Sequence, residues 1–251
     1  MKDPVRTLRD TDEDARRLAR RLVRGSRRAA IAVLEPETGF PFSSRVLTGT
    51  DVDGVPVILV SALAVHSAAL RADPRASMMF GQAGKGDPLA HARITVRCQA
   101  AAVDRGHPDH GRIRRRFIAR HPKSALYADF GDFAFFRMEP VTALLNGGFG
   151  KAYALDRDDL VISSPALTAM PAIEEELLRA IAMEHSAAGD VCASVCGGSK
   201  KAGWRIFAID PAGVDLSNGD DLLRIEFDNT VPNAEDLPRV FSDILMKPRI
   251  I

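Results

Sequence analysis

Between residues 29 and 103 the chain places apolar side chains in short runs, several of them alternating with polar ones: "AAIAVLE" (29–35), "SSRVLTG" (43–49), "VPVILVS" (55–61), "ASMMFG" (76–81) and "RITVRCQAAAV" (93–103). Such runs are strands, and turn formers in "PETGFP", "DVDG" and "GQAGKGDP" separate them. One short helical stretch interrupts the series, inside "SALAVHSAALRADPRASMM" (61–79). Strands this short and closely spaced predict an antiparallel barrel. Within 61–79 the pattern assigns Leu63, Val65, Leu70, Met78 and Met79 to the core.

The period changes to that of a helix at both ends of this region. Ala15, Leu18, Ala19, Leu22 and Val23 recur at helical spacing behind Thr11 and Asp14, a pair resembling a capping box, and Gly25 closes the element. Ile113, Phe117 and Ile118 define a second helix with Arg112, Arg114, Arg115 and Arg116 around it. "DFAFFRMEPVTALLNGGFG" is again a strand, ending in a turn at Gly147, Gly148 and Gly150. Beyond Asp156 come an amphipathic helix over 171–190, a three-stranded meander over 204–227 and a helix over 234–246. The expected organisation is an N-terminal tail (1–14), a barrel domain (15–155) and a small α+β domain (156–251).

Composition adds limits. Of 251 residues, 34 are Lys or Arg and 33 are Asp or Glu, so no global charge draws the chain to nucleic acid or membrane. Three cysteines are too few for a disulfide framework. The N-terminus carries no apolar signal core, and no apolar run reaches the ~18 residues of a membrane span. A cytoplasmic protein is expected, with neither nucleic acid nor membrane as partner.

Candidate chemistry is sparse. Ser61, His66 and Ser67 sit where the short helix begins, and Arg45 lies beside Ser43, Ser44 and Thr48. These residues read either as anion-binding donors at a helix start or as a cap, a core edge and a solvated arginine. "GQAGKGDP" lacks P-loop spacing and reads as a hairpin loop. The arginines of the two helices, Arg16, Arg17, Arg20, Arg21, Arg24, Arg27 and Arg28 in the first and 112–116 in the second, read as solvated faces. His107, His110 and His121 lack the spacing of a metal motif, so no metal site is assigned, although a haem iron needs only one imidazole. Cys192 and Cys196 read as buried thiols.

The ordered set "FPFSSRVLTGTDVDGVPVILVSALAVHSAALRADPRASMMF", "GDPLAHARITVRCQA" and "RFIARHPKSALYADFGDFAFFRMEPVTALLNGGFGKA" resembles the haem-iron-utilisation branch of the pyridoxamine 5′-phosphate oxidase-like proteins. The resemblance covers about residues 15 to 155. The segment beyond it is similar, through "AIDPAGVDL" and the order of elements, to the α+β domain fused behind that barrel. The resemblance implies an FMN-binding-type split barrel and a homodimer, of a superfamily that binds FMN at the interface between the two copies, with FMN or haem as the cofactor. By position it implies cofactor contacts from Arg45, Val46, Leu47 and Thr48, from Ser61 and Ala62, from His66 and Ser67, and from Arg93. His66, His107, His110 and His121 are the candidate haem ligands. Two functions are implied in turn. One is a redox protein of haem-iron utilisation, as an FMN-dependent oxidoreductase or a haem-degrading oxygenase. The other is a non-catalytic, dimeric regulatory module of tetrapyrrole metabolism.

Overall fold

The computed structural model describes residues 8–82, 84–148 and 150–246. Half of the expected tail, residues 1–7, therefore lies outside the described residues. Helix α1 (Glu13–Gly25) is followed by strands β1 (Arg28–Leu34), β2 (Pro41–Thr50) and β3 (Pro56–Ser61), helix α2 (Val65–Ala72), and strands β4 (Arg75–Phe80) and β5 (Arg93–Val103). Helix α3 (His110–Arg120) precedes the long strand β6 (Phe133–Asn146), the strand β7 (Ala152–Asp156) and the single turn α4 (Arg157–Leu160). The remainder is α5 (Met170–Glu184), α6 (Ala188–Val195), β8 (Arg205–Asp210), β9 (Gly213–Asn218), β10 (Asp221–Glu226) and α7 (Leu237–Leu245).

The first seven strands pair antiparallel in the order β3-β2-β1-β4-β5-β6-β7, and β3 also pairs with β6, which closes a six-stranded barrel. Strand β6 explains how the barrel both closes and splits. Its first residues pair with β3, from Phe133 opposite Ser61 to Arg137 opposite Val57, while its last pair with β7. The inner face is apolar, with Ile31, Ile58, Met78, Phe80, Ile94, Val96, Phe136 and Met138 almost fully buried. The apolar stripe of α1 (Ala15, Ala19, Val23) joins this core. A second core gathers α5, α6, α7 and the meander β8–β10, and Val52, from the turn between β2 and β3, inserts into it. Gly189 lets α6 approach β8, since a Cβ there would lie 2.0 Å from the Trp204 carbonyl oxygen.

Several sequence expectations are corrected. The α1 cap is Asp12, whose carboxylate accepts from Ala15 N at 2.8 Å. Thr11 instead donates to the Ala154 carbonyl beside β7. The helix expected over 171–190 ends at Glu184, and α6 begins after a turn at His185. Leu63 is 90% exposed, and Val65 and Met79 are also exposed, because the turn before α2 leaves the barrel and Met79 points outward on β4. Cys196 is exposed, whereas Cys98 and Cys192 are buried and their thiols are pushed up to about 12 by desolvation.

The largest correction concerns the arginines. Arg24, Arg116 and Arg120 are buried, because a second domain covers the faces that look polar on α1 and α3. Arg24 donates to Asp210 at 2.8 Å, and Asp210 also accepts from Arg224 at 2.7 and 2.9 Å. Arg116 and Arg115 both engage Glu174 of α5. Arg20 reaches Glu226 and Arg16 reaches Asp159. Gly54 (φ +89) makes room for the Arg24 guanidinium, which lies 2.5 Å from where its Cβ would be.

Removing one member of a buried ion network strands the others without water, which costs about 3–5 kcal/mol. Asp210→Asn is therefore expected to lower stability by about that amount in urea unfolding. Against the desolvation of burial, Arg224 and Arg24 hold the Asp210 carboxyl well below its usual value. Its contribution is fully present above the unfolded value near 3.8 and is lost as pH falls below it. The wild type should lose stability in acid below about pH 4 more steeply than Asp210→Asn does.

Candidate functional site

The alternation of the strands sorts the expected site residues onto different surfaces. On β2, Arg45 and Leu47 point out of the barrel, while Val46 and Thr48 point in and are buried. Thr48 is occupied structurally: its hydroxyl donates to Ser26 O at 2.9 Å, and its carbonyl lies 2.8 Å from His121 Nε2. Arg93 opens β5 on the same outer surface as Arg45, with its guanidinium donating to the Leu89 and His91 carbonyls.

Ser61, Ala62, His66 and Ser67 belong to the end of the barrel. Ser61 donates to the Asp132 carboxylate at 2.7 Å, and Ala62 N donates to Asp132 O at 2.6 Å, which ties the turn before α2 to the start of β6. The α2 cap is Ala64 with no side-chain cap bond. Ser67 lies inside the helix, buried, with its hydroxyl unpartnered among the described residues. His66 Nδ1 sits 2.9 Å from Ser44 Oγ, and half-burial lowers its pKa, which favours the neutral imidazole. Arg45 and His66 thus approach β2 from opposite sides. The structure brings Arg45, Leu47 and Arg93 onto one surface, and places Ser61, Ala62 and His66 around one turn.

The other histidines stand apart from both groups. His107 and His110 flank the start of α3, which packs on the wall formed by β3 and β6, with His110 5.6 Å from the Phe135 ring. His121 is buried against Phe117 and Thr48, at 3% exposure. No group of three or more His, Cys, Asp or Glu among the described residues has the arrangement of a metal site. No described helix is long and apolar enough to cross a membrane.

The outer surface of the sheet gathers further residues around Arg45 and Arg93. The register aligns Arg45, Ala30, Met79, Thr95, Leu144 and Ala154 in one row across six strands. A second row runs Ser43, Ala32, Ser77, Arg97, Thr142 and Asp156. Arg28, opposite Leu47, faces the same way. An open cleft of about 280 Å³ is lined by Arg28, Ala30, Arg45, Met79, Gly81 and Gln82. Gly81 (φ +105), which lines this cleft, passes so close to the residues leading into β5 that a Cβ would lie 2.5 Å from Ala92 O. The expected site set omits Arg28, Met79, Arg97 and Leu144, although period-two parity with Arg45 and Arg93 places them on this face.

This architecture is a split barrel of the FMN-binding type followed by a small α+β domain. The family model described as "CREG, beta-barrel" matches residues 10–161, and the chain belongs to that family. It is similar over 96% of its length to the whole crystal structure of the protein Atu2129 from Agrobacterium tumefaciens, at 28% identity and a TM-score of 0.80. A heme binding protein from Mycobacterium smegmatis has the same fold, at 20% identity and a TM-score of 0.55, with 94% of this chain and 96% of that one aligned. Over 115 residues the chain is 35% identical to the chloroplastic non-canonical heme oxygenase HOZ of Arabidopsis thaliana. That match takes in 46% of this chain and about a third (34%) of the plant protein.

Burial pushes the His121 imidazole down to about 4, from an ordinary value of 6.5, so the folded state binds this proton later than the unfolded chain does. Stability should be complete above pH 6.5 and fall as pH drops from 6.5 toward 4. Urea midpoints measured at pH 7 and pH 4.5 should differ less for His121→Asn than for the wild type.

Proposed function

We propose that the protein is a cytoplasmic, homodimeric haem- or FMN-binding split-barrel protein acting in haem-iron utilisation, with the ligand held against the outer face of β2, β1, β4 and β5. The carrying observation is the chemistry of that face. Arg28, Arg45, Arg93 and Arg97 form no ion pair with any described residue, and Leu47, Met79 and Leu144 lie exposed beside them. A planar aromatic ligand with anionic groups needs this combination of apolar floor and guanidinium donors. The names of the relatives, a heme oxygenase and a heme binding protein, favour a haem ligand.

In this reading Arg45 and Arg93 bind the anionic groups, Leu47 covers the ring, and the backbone at Val46 orients its edge, while the Thr48 backbone stays committed to Arg27 and His121. Ser61, Ala62, His66 and Ser67 hold the α2 turn in place, with His66 kept neutral by burial. The bound group supplies electron transfer or oxygen chemistry. The protein supplies position and charge. A second copy packs on the same face, covering Leu47, Met79 and Leu144. The working division of the chain is a tail at 1–14, the barrel at 15–155 and the α+β domain at 156–251.

A second reading, a non-catalytic regulatory module that binds a partner protein, is favoured by one observation. Ala68 is exposed on α2, next to His66 and Ser67, and offers no side-chain donor toward an anion.

Titration of the purified chain with haemin and with FMN, followed by absorbance, should show stoichiometric uptake of one of them. Arg45→Ala should weaken that uptake about tenfold or more, as expected for loss of a charge-assisted contact. No spectral change with either ligand would refute the proposal.

A further inference from the structure

We infer that the junction between the barrel and the α+β domain is a binding site for a buried water cluster, which links Asp215 to the guanidinium groups of Arg24, Arg116, Arg120 and Arg224. Six of the eight buried side-chain nitrogens and oxygens that lack a hydrogen-bond partner among the described residues belong to this group: Arg24 Nη2, Arg116 Nη2, Arg120 Nε, Arg224 Nε and both oxygens of Asp215. All five residues are more than nine-tenths buried. Asp215 sits on β9 opposite Arg224, beside the irregularity in β8 between Ile206 and Ala208. It lies 3.4 Å from Arg224 Nη1, 3.8 Å from Arg24 Nη1 and 3.9 Å from Arg116 Nη2, within ion-pair range of each but hydrogen-bonded to none. Arg120 completes the group. Its Nη2 donates to the Arg24 and Ser26 carbonyls at 2.6 and 2.7 Å, and Asp215 is the charge that opposes the lowering of its pKa by burial.

The unpartnered set holds donors and acceptors together, and that mixture selects the occupant. An anion would satisfy the N–H groups but be repelled by the Asp215 carboxylate. A metal cation would satisfy the carboxylate but be repelled by four guanidinium groups. Water accepts from the arginines and donates to Asp215 at once. At ~3 hydrogen bonds for each buried water, about two molecules match the four N–H groups and the carboxylate. The neighbouring carboxylates differ. Asp210 accepts directly from Arg24 and Arg224, and Glu174 from Arg115 and Arg116. Direct forks fix the geometry of a pair, whereas a bridging water keeps the attraction and tolerates a shift of either partner. The junction thus has a rigid layer at Asp210 and Glu174 and an adjustable one at Asp215. One feature favours an anion instead: the four arginines outnumber Asp210, Asp215 and Glu174 by one charge. The experiment therefore includes a halide.

High-resolution crystals of the full chain, grown with and without sodium bromide, test this together with oxygen-17 relaxation dispersion, which counts waters held inside the protein in solution. Density for water within hydrogen-bond distance of Asp215 and of at least one of the four guanidinium groups is expected in both crystals. The double variant Asp215→Leu, Arg120→Met removes one charge of each sign and fills the space with apolar atoms, a replacement that buried ion pairs often tolerate. It should lose the dispersion amplitude of about two long-lived waters. Direct hydrogen bonds between Asp215 and the arginines, with no water among them, would overturn the inference. An anomalous bromide peak at this position would overturn it in favour of an anion site. An unchanged dispersion amplitude in the folded double variant would assign the long-lived waters to other places and count equally against it. Should that variant not fold, the wild-type density decides the question.

Discussion

The burial of charge between the barrel and the α+β domain is the constraint on which the rest of this structure depends. Asp210 is fully buried and accepts from Arg24 of α1 and Arg224 of β10; Glu174, equally buried, accepts from Arg115 and Arg116 of α3. Guanidinium and carboxylate groups withdrawn from water are tolerable only when each finds its partner. Such a network adds little net stability over an apolar contact, but it penalises every docking in which the charges miss one another. It therefore fixes one relation between the two parts of the chain. Helix α1 is the pivot, with Ala15, Ala19 and Val23 on the barrel core and Arg16, Arg20 and Arg24 reaching toward the residues beyond β7.

That constraint divides the arginines into two populations. Of those on α1 and α3, Arg16, Arg20, Arg24, Arg115 and Arg116 are consumed by Asp159, Glu226, Asp210 and Glu174, and Arg112 and Arg114 by Asp51 and Asp129. Those on the outward side of β1, β2 and β5 have no such partner among the described residues. A near-zero net charge conceals this asymmetry, because balance over the chain says nothing about balance on a face. The domain junction is neutralised from within, whereas the barrel face remains charged and partly apolar.

The barrel was legible because its strands alternate: the runs at 29–35, 43–49, 55–61, 76–81 and 93–103 each fall within one or two residues of an observed strand. The meander and the closing helix were legible for similar reasons. What failed shares one physical cause. A polar position on a helix is read as facing water, yet Arg24 and Arg116 face carboxylates 186 and 58 residues away, which no local pattern contains. Met79 failed in the opposite sense. Its apolar side chain suggested core, but its parity on β4 matches Ser77 on the outer face, and Met78 fills the inside. The break between α5 and α6 carries no glycine or proline before Gly189, so nothing local announced it.

The candidate site was legible as a linear set and not as a surface. Period-two geometry places Ser44 and Arg45 on opposite sides of β2, so two adjacent donors cannot serve one ligand through their side chains. Ser44 turns to His66 at the end of the barrel, and Arg45 joins the row with Ala30, Met79 and Thr95. A ligand lying on the sheet therefore meets side chains of one parity drawn from four strands, rather than consecutive residues of any one. Parity also explains why Thr48, with its hydroxyl committed to Ser26 and its carbonyl to His121, can offer such a ligand no side chain. It ties β2 instead to α3, whose arginines anchor the second domain, so the docking of that domain and the shape of the candidate face are set by the same strand.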